Sequence, residues 1–220
     1  MLDFVLFMFF SVIESFSMFL LSFRLFKIDL YIVEMLFASI IMAFISYVLR
    51  HDYSFPIIDI ATQYFLTFCF FWMLFRIQVF YAVIITGIAY QSYMLIQSLL
   101  FLFMNQLGIY SLPFKEFSSI SYLLQFLSSL ITVIIGAMIA NKRKGFDFIP
   151  DKPNGRIDIT FKEKILFALS LPSILVVMST LFFASHLTRF FIVIPTAYAL
   201  ILYGYLYLSY KKDRGESWNH

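Results

Sequence analysis

Three sets of residues in this chain have types and spacing that could do chemistry. The first is Glu14, set inside a long apolar run with Ser11, Ser15 and Ser22 on the same helical face. An ionisable group at the centre of a membrane span costs about 2.5–3.5 kcal/mol on insertion scales, so it needs a partner or a task. The partner reading is a hydrogen-bonded contact between helices. The task reading is a proton or cation site, or a switch group. The second set is a stripe: Thr86, Tyr90, Tyr93 and Gln97 recur at helical spacing, flanked by Gln91 and Ser98. The next apolar segment answers with Ser121, Tyr122, Gln125, Ser128 and Ser129. Two such faces, joined by "NQLGIYSLPFKEF", would make an aromatic cleft with a few amides and hydroxyls, suited to a small amphipathic ligand. Tyr90, Tyr93, Gln97 and Gln125 are the candidate ligand-binding residues, and polar helix packing would use the same residues.

The third set is Cys69 with His51, His186 and His220. A thiol nucleophile needs a base beside it. Cys69 lies within an apolar segment, whereas the histidines fall at segment ends. HExxH, GxSxG, a phosphate-binding loop and a dinucleotide fingerprint are missing from the sequence. No Cys/His spacing suits a metal, and a single cysteine cannot build a disulfide within the chain. The expectation is a protein without catalytic residues, metal or cofactor.

The elements that must position these residues are set by composition. Of the 220 residues, 62% are hydrophobic and only 13% charged, and thirty are Phe. Soluble domains average about 25% charged residues. The fold class is therefore an all-α polytopic membrane protein. A spanning helix needs about 20 mostly apolar residues. Breaking the chain at charged and turn-forming residues predicts seven spans, at 4–23, 31–49, 57–75, 78–104, 119–140, 165–185 and 189–210. The third and fourth are separated only by Arg76 and Gln78, which demands a tight hairpin. Gly136 and Ala140 form a small-xxx-small pair that favours close helix packing. Tyr203, Tyr205, Tyr207 and Tyr210, with Trp218, form a candidate aromatic belt at the inner interface.

Orientation follows from the basic residues. With the N-terminus out and the C-terminus in, thirteen of sixteen face the cytoplasm: Arg24 and Lys27, Arg76, seven in 141–164, and Lys211, Lys212 and Arg214. Only Arg50, Lys115 and Arg189 face outward, as the positive-inside rule requires. This clustering reads as a topology signal, not as a nucleic-acid surface. The organisation is then five helices over 1–140, a basic loop over 141–164, two helices over 165–210 and a tail over 211–220. Within the loop, "PDKPNG" favours chain reversal and "RIDITF" alternates polar and apolar residues, which predicts a small hairpin. Phe146, Phe148, Arg156, Lys211 and Lys212 are the candidate contacts to a partner, against the simpler reading of a solvated connector. Glu34 and Asp59 are expected as interface anchors, Asp59 near Arg50 and His51.

Five spans, a hairpin-like basic segment, two more spans and a short basic exit make a particular arrangement. Together with "FSVIESFSMFLLSFRLFKI", "FRIQVFYAVIITGIAYQSYMLIQSLL" and "GFDFIP", it resembles the membrane sensor portion of peptide-sensing histidine kinases of the accessory-gene-regulator type from Gram-positive bacteria. The resemblance implies a quorum-sensing type of receptor in a bacterial cytoplasmic membrane. It would read an extracellular peptide or small amphipathic signal and pass it to a cytoplasmic partner such as a histidine kinase. Such kinases continue into a dimerising helix with a phospho-accepting histidine and then an ATP-binding domain. This chain ends ten residues after the last span, at "KKDRGESWNH", and His220 has no such helix around it. The expectation is a stand-alone sensor, an accessory protein or a fragment of a longer chain. The alternatives are a transporter subunit with Glu14 as its coupling group, and a scaffold within a membrane complex.

Overall fold

The computed structural model describes residues 2–53, 55–108, 119–147, 149, 161–183 and 193–213. The protein is an all-α polytopic membrane protein, and no strand occurs among the described residues. The helices are α1 (Leu2–Leu25), α2 (Ile32–Tyr47), α3 (Pro56–Cys69), α4 (Val79–Gln106), α5 (Ser119–Asn141), α6 (Phe161–Ala168), α7 (Ser170–Phe183) and α8 (Val193–Asp213). One π-helical turn, Val48–Asp52, extends α2, and another, Phe70–Leu74, extends α3. Five helices are long and apolar enough to cross a membrane: Asp3–Leu25, Ile32–Asp52, Val79–Gln106, Ser119–Asn141 and Val193–Asp213. Two shorter apolar helices, Ile58–Leu74 and Lys164–Val177, stand where the third and sixth spans are expected.

The sixth expected span is the one that breaks, between α6 and α7 at Leu169. Pro172 explains the break. It has no amide proton for the carbonyl four residues earlier, and its ring crowds that carbonyl. The helical bonds on either side survive, from Leu169 N–H to Ile165 (2.9 Å) and from Ser173 N–H to Leu169 (3.1 Å). The hairpin expected in the basic loop falls on residues 150–160, outside the described residues.

Side chains are sorted as in a bilayer rather than in water. α2 buries Ala38, Ser39 and Ser46 and exposes Phe37, Phe44 and Val33, the last at 77%. Lipid gives no hydrophobic drive between helices, so small and hydroxylated residues line the contacts and the large apolar ones face outward. Buried hydroxyls bond back to their own helix. Ser22 donates to Met18 O (2.8 Å), Ser39 to Met35 O (2.7 Å) and Thr132 to Ser128 O (2.7 Å).

α4 is the most buried of the long helices, and α1 lies against it. α1 packs chiefly along α5 and α2. Gly136 sets the approach of α5, since a Cβ there would stand 2.9 Å from Leu20 Cδ2 and 3.6 Å from Leu21 Cα. The two ends of the bundle differ in character. At one end, Phe4 and Phe7 of α1 meet Tyr47 of α2, and Phe10 stacks on Tyr122 of α5. The other end collects the basic residues. There Phe146 N–H donates to Leu25 O (2.7 Å), and Asp147 N–H donates to Asp213 Oδ1 (3.0 Å). The ends of α1, α5 and α8 thus share one face. Of the expected aromatic belt, Tyr203, Tyr207 and Tyr210 are exposed, but Tyr205 is fully buried, and Trp218 lies outside the described residues.

Gly136→Val is expected to lower stability by about 1–3 kcal/mol, because a branched side chain is forced into a packed contact. Ala137→Val, one position round and exposed, is the control and should change little. Thermal unfolding of the purified protein in detergent checks both.

Candidate functional site

Two carboxylates lie within the helical bundle toward the end opposite the basic residues. Asp59, in the first turn of α3, is 0% exposed. Pro56 opens that turn and the helix dipole there favours a negative charge. Both carboxylate oxygens are occupied. Arg50 Nε donates to Oδ2 at 2.5 Å, Ser46 Oγ donates to Oδ2 at 2.9 Å, and Gln63 Nε2 donates to Oδ1 at 3.2 Å. Gln63 also donates to Met42 O (2.9 Å), which ties α3 to α2 a second time. Asp59 is therefore the centre of a buried ion pair and hydrogen-bond network, not an interface anchor. The signal in the sequence was an arginine and an aspartate of opposite charge at the same end of consecutive spans. His51 bonds the neighbouring Asp52 (2.9 Å) and stacks on Tyr47.

Glu14 is half-buried in the middle of α1. Its carboxyl faces Tyr93 and Gln97 of α4, and it feels the charges of Arg50 and Asp59. The polar stripe of α1 thus meets the polar stripe of α4. Tyr93 is 2% exposed and its hydroxyl lies 2.9 Å from Ser128 Oγ of α5. Ser128 Oγ also bonds the carbonyls of Leu124 (2.8 Å) and Gln125 (3.0 Å) of its own helix, which anchors it where it meets Tyr93. Ser129 also stands beside Tyr93.

Tyr90 and Tyr93 diverge. Tyr90, 4% exposed, turns toward α3, with its ring 4.8 Å from Tyr64 and its hydroxyl beside Thr67. Gln97 and Gln125 are half-buried, and Gln125 Oε1 has no hydrogen-bond partner among the described residues. The open cleft expected between the fourth and fifth spans is therefore filled at Tyr93 by a direct side-chain bond. The physical reason is that tyrosine and serine at matching depth satisfy one another where lipid offers no partner. Residues 109–118, which connect the two helices, lie outside the described residues.

A second polar cluster escaped the periodicity because its members sit on helices far apart in sequence. Gln91, fully buried, donates to Ser173 Oγ (2.9 Å) and Ser173 O (3.1 Å) of α7. Tyr205 of α8 donates to Ser170 Oγ (3.3 Å). Gly87 leaves the room for it, since a Cβ there would collide with the Tyr205 hydroxyl. The short α7 is thus held to α4 and α8 by hydrogen bonds.

The expected partner contacts separate as well. Phe146 is corrected: it is 8% exposed and packs on Phe26 at 6.1 Å, so its side chain belongs to the core. The backbone bond to Leu25 pulls it there. Phe148 and Arg156 lie outside the described residues. Lys211 and Lys212 are half-buried, over the rings of Tyr207 (5.9 Å) and Tyr81 (5.5 Å). Cys69 is partly exposed in α3. Among the described residues, no three His, Cys, Asp or Glu side chains gather as a metal site. No protein-family model, no curated protein and no solved structure matches this chain.

Removing one partner of a buried ion pair strands the other. Asp59→Ala and Arg50→Ala are each expected to cost about 3–5 kcal/mol. Their double variant should be less destabilised than the sum of the two. Detergent unfolding in a double-mutant cycle checks this, and an additive result would show that the pair does not act as one unit.

Proposed function

We propose that this chain is a non-catalytic receptor or accessory subunit of a bacterial cytoplasmic membrane. In this reading the polar layer around Glu14 responds to a peptide or small amphipathic signal from outside. The basic end passes the response to a cytoplasmic partner such as a histidine kinase. The observation that supports it is the course of α1. The same helix carries Glu14 into the layer with Tyr93 and Gln97, and its last turn holds Phe146 and the segment that reaches Asp213 of α8. A tilt or rotation of α1 at the polar layer would be felt where α5 and α8 end. Polar networks between packed helices have discrete arrangements rather than a continuum, which is what a switch needs.

A transporter subunit is the second reading, favoured by the intramembrane carboxyl of Glu14 itself. In that case Glu14 binds and releases the coupling ion, and Tyr93 and Gln97 shape its site.

Purification from the native membrane in mild detergent, followed by mass spectrometry, separates the two. A co-purifying histidine kinase or comparable signalling enzyme is expected. Subunits of an ATP-driven transporter in its place would overturn the receptor reading. Flux that is lost in Glu14→Gln vesicles, with no signalling partner bound, would also favour transport.

A further inference from the structure

The basic end holds a crevice that the polar layer does not explain. An open cavity of about 520 Å³ lies between the end of α1, the 27–30 turn and the end of α5. Arg24, Lys27 and Arg143 bring positive charge to it, against one acidic residue, Asp29. Its floor is apolar, from Phe23, Ile28 and Ile139. Ile139 is shared with a second crevice of about 240 Å³, which continues along α5 past Ile135 and Met138 to Lys142 and Lys144. Met138 is 50% exposed on the outer face of the helix. Lys27 is paired with Asp147 at 3.7 Å, whereas Arg24 and Arg143 have no carboxylate partner among the described residues.

Backbone geometry adds an independent observation. Lys27 and Arg143 both sit in the left-handed region, at φ 51° and 50°. Each ends its helix as the residue that is usually glycine. Ile28 N–H returns to Phe23 O (2.9 Å) and Lys144 N–H to Ile139 O (3.2 Å), the long bond of that cap. Glycine would adopt this conformation without strain. The sequence places a long cation there instead, and both cations line the same crevice.

We infer that this crevice binds the phosphate of an anionic phospholipid, with Arg24 and Arg143 as the main phosphate contacts and an acyl chain lying along Ile135 and Met138. Guanidinium groups match phosphate oxygens in pairs. A volume of this size falls in the range of small-ligand sites, about 300–1,000 Å³. The apolar floor and its continuation along α5 favour a lipid over a soluble phosphate. The basic end is also the one that the positive-inside rule assigns to the cytoplasm, where the leaflet carries anionic lipid.

The test is native mass spectrometry of the full chain in detergent, titrated with phosphatidylglycerol, with phosphatidylcholine, and with glycerol 3-phosphate as competitor. Phosphatidylglycerol should bind roughly tenfold or more tightly than phosphatidylcholine. The Arg24→Gln/Arg143→Gly double variant should lose that preference without a lower melting temperature, since glycine suits the cap. Arg76→Gly, a third left-handed cap (φ 54°) outside the crevice, should keep it. Equal affinity for the two lipids would overturn the inference, as would an unchanged preference in the double variant. Displacement of phosphatidylglycerol by millimolar glycerol 3-phosphate would also overturn it, in favour of a soluble phosphate ligand.

Discussion

A carboxylate placed between membrane helices must find its partners inside the bundle, because the lipid offers none. The rest of this structure depends on how Asp59 and Glu14 meet that constraint. Asp59 uses an arginine, a serine and a glutamine drawn from two helices, which fixes α2 against α3. Glu14 uses the polar edge of α4, and Tyr93 extends the same layer to α5 through Ser128. Five helices are thereby registered by polar contacts. Close packing adds to that register where a small residue lets helices approach, as Gly136 does against Leu20 and Leu21.

The opposite end obeys electrostatics of another kind. α1, α5 and α8 all finish there, so their negative dipole ends face the same leaflet. Arg24 and Lys27, then Lys142 to Lys144, then Lys211 and Lys212 stand at those ends. One set of cations thus serves helix capping and dipole compensation together. Two of these residues accept a left-handed backbone to be where they are.

The helical class and the approximate ends of most elements were legible, because runs of about 20 apolar residues have few alternatives. The close approach of α5 was legible from Gly136, and the meeting of polar stripes from the spacing of Tyr93 and Gln97. What the stripes enclose was not. Helical spacing places Tyr90 and Tyr93 on one broad face but does not show that a rotation of some 60° sends one to α3 and the other to α5. The Gln91–Ser173 bond joins residues 82 positions apart, and no local pattern announces it. Phe146 read as a surface residue because it stands among cations, yet a single backbone bond to Leu25 carries it inward. Pro172 is plain in the sequence, but an apolar run of span length around it masks the break that it makes.

The coupling of the two ends through α1 is tested most directly by cross-linking. Lys27 and Asp147 face each other across the α1–α5 corner. With both changed to Cys in a Cys69→Ser background, the rate of disulfide formation in native membranes reports that corner. Glu14→Gln, made at the far polar layer, is expected to change the rate several-fold while the protein stays folded. An identical rate with and without the Glu14→Gln substitution would contradict the coupling and leave α1 as a passive strut.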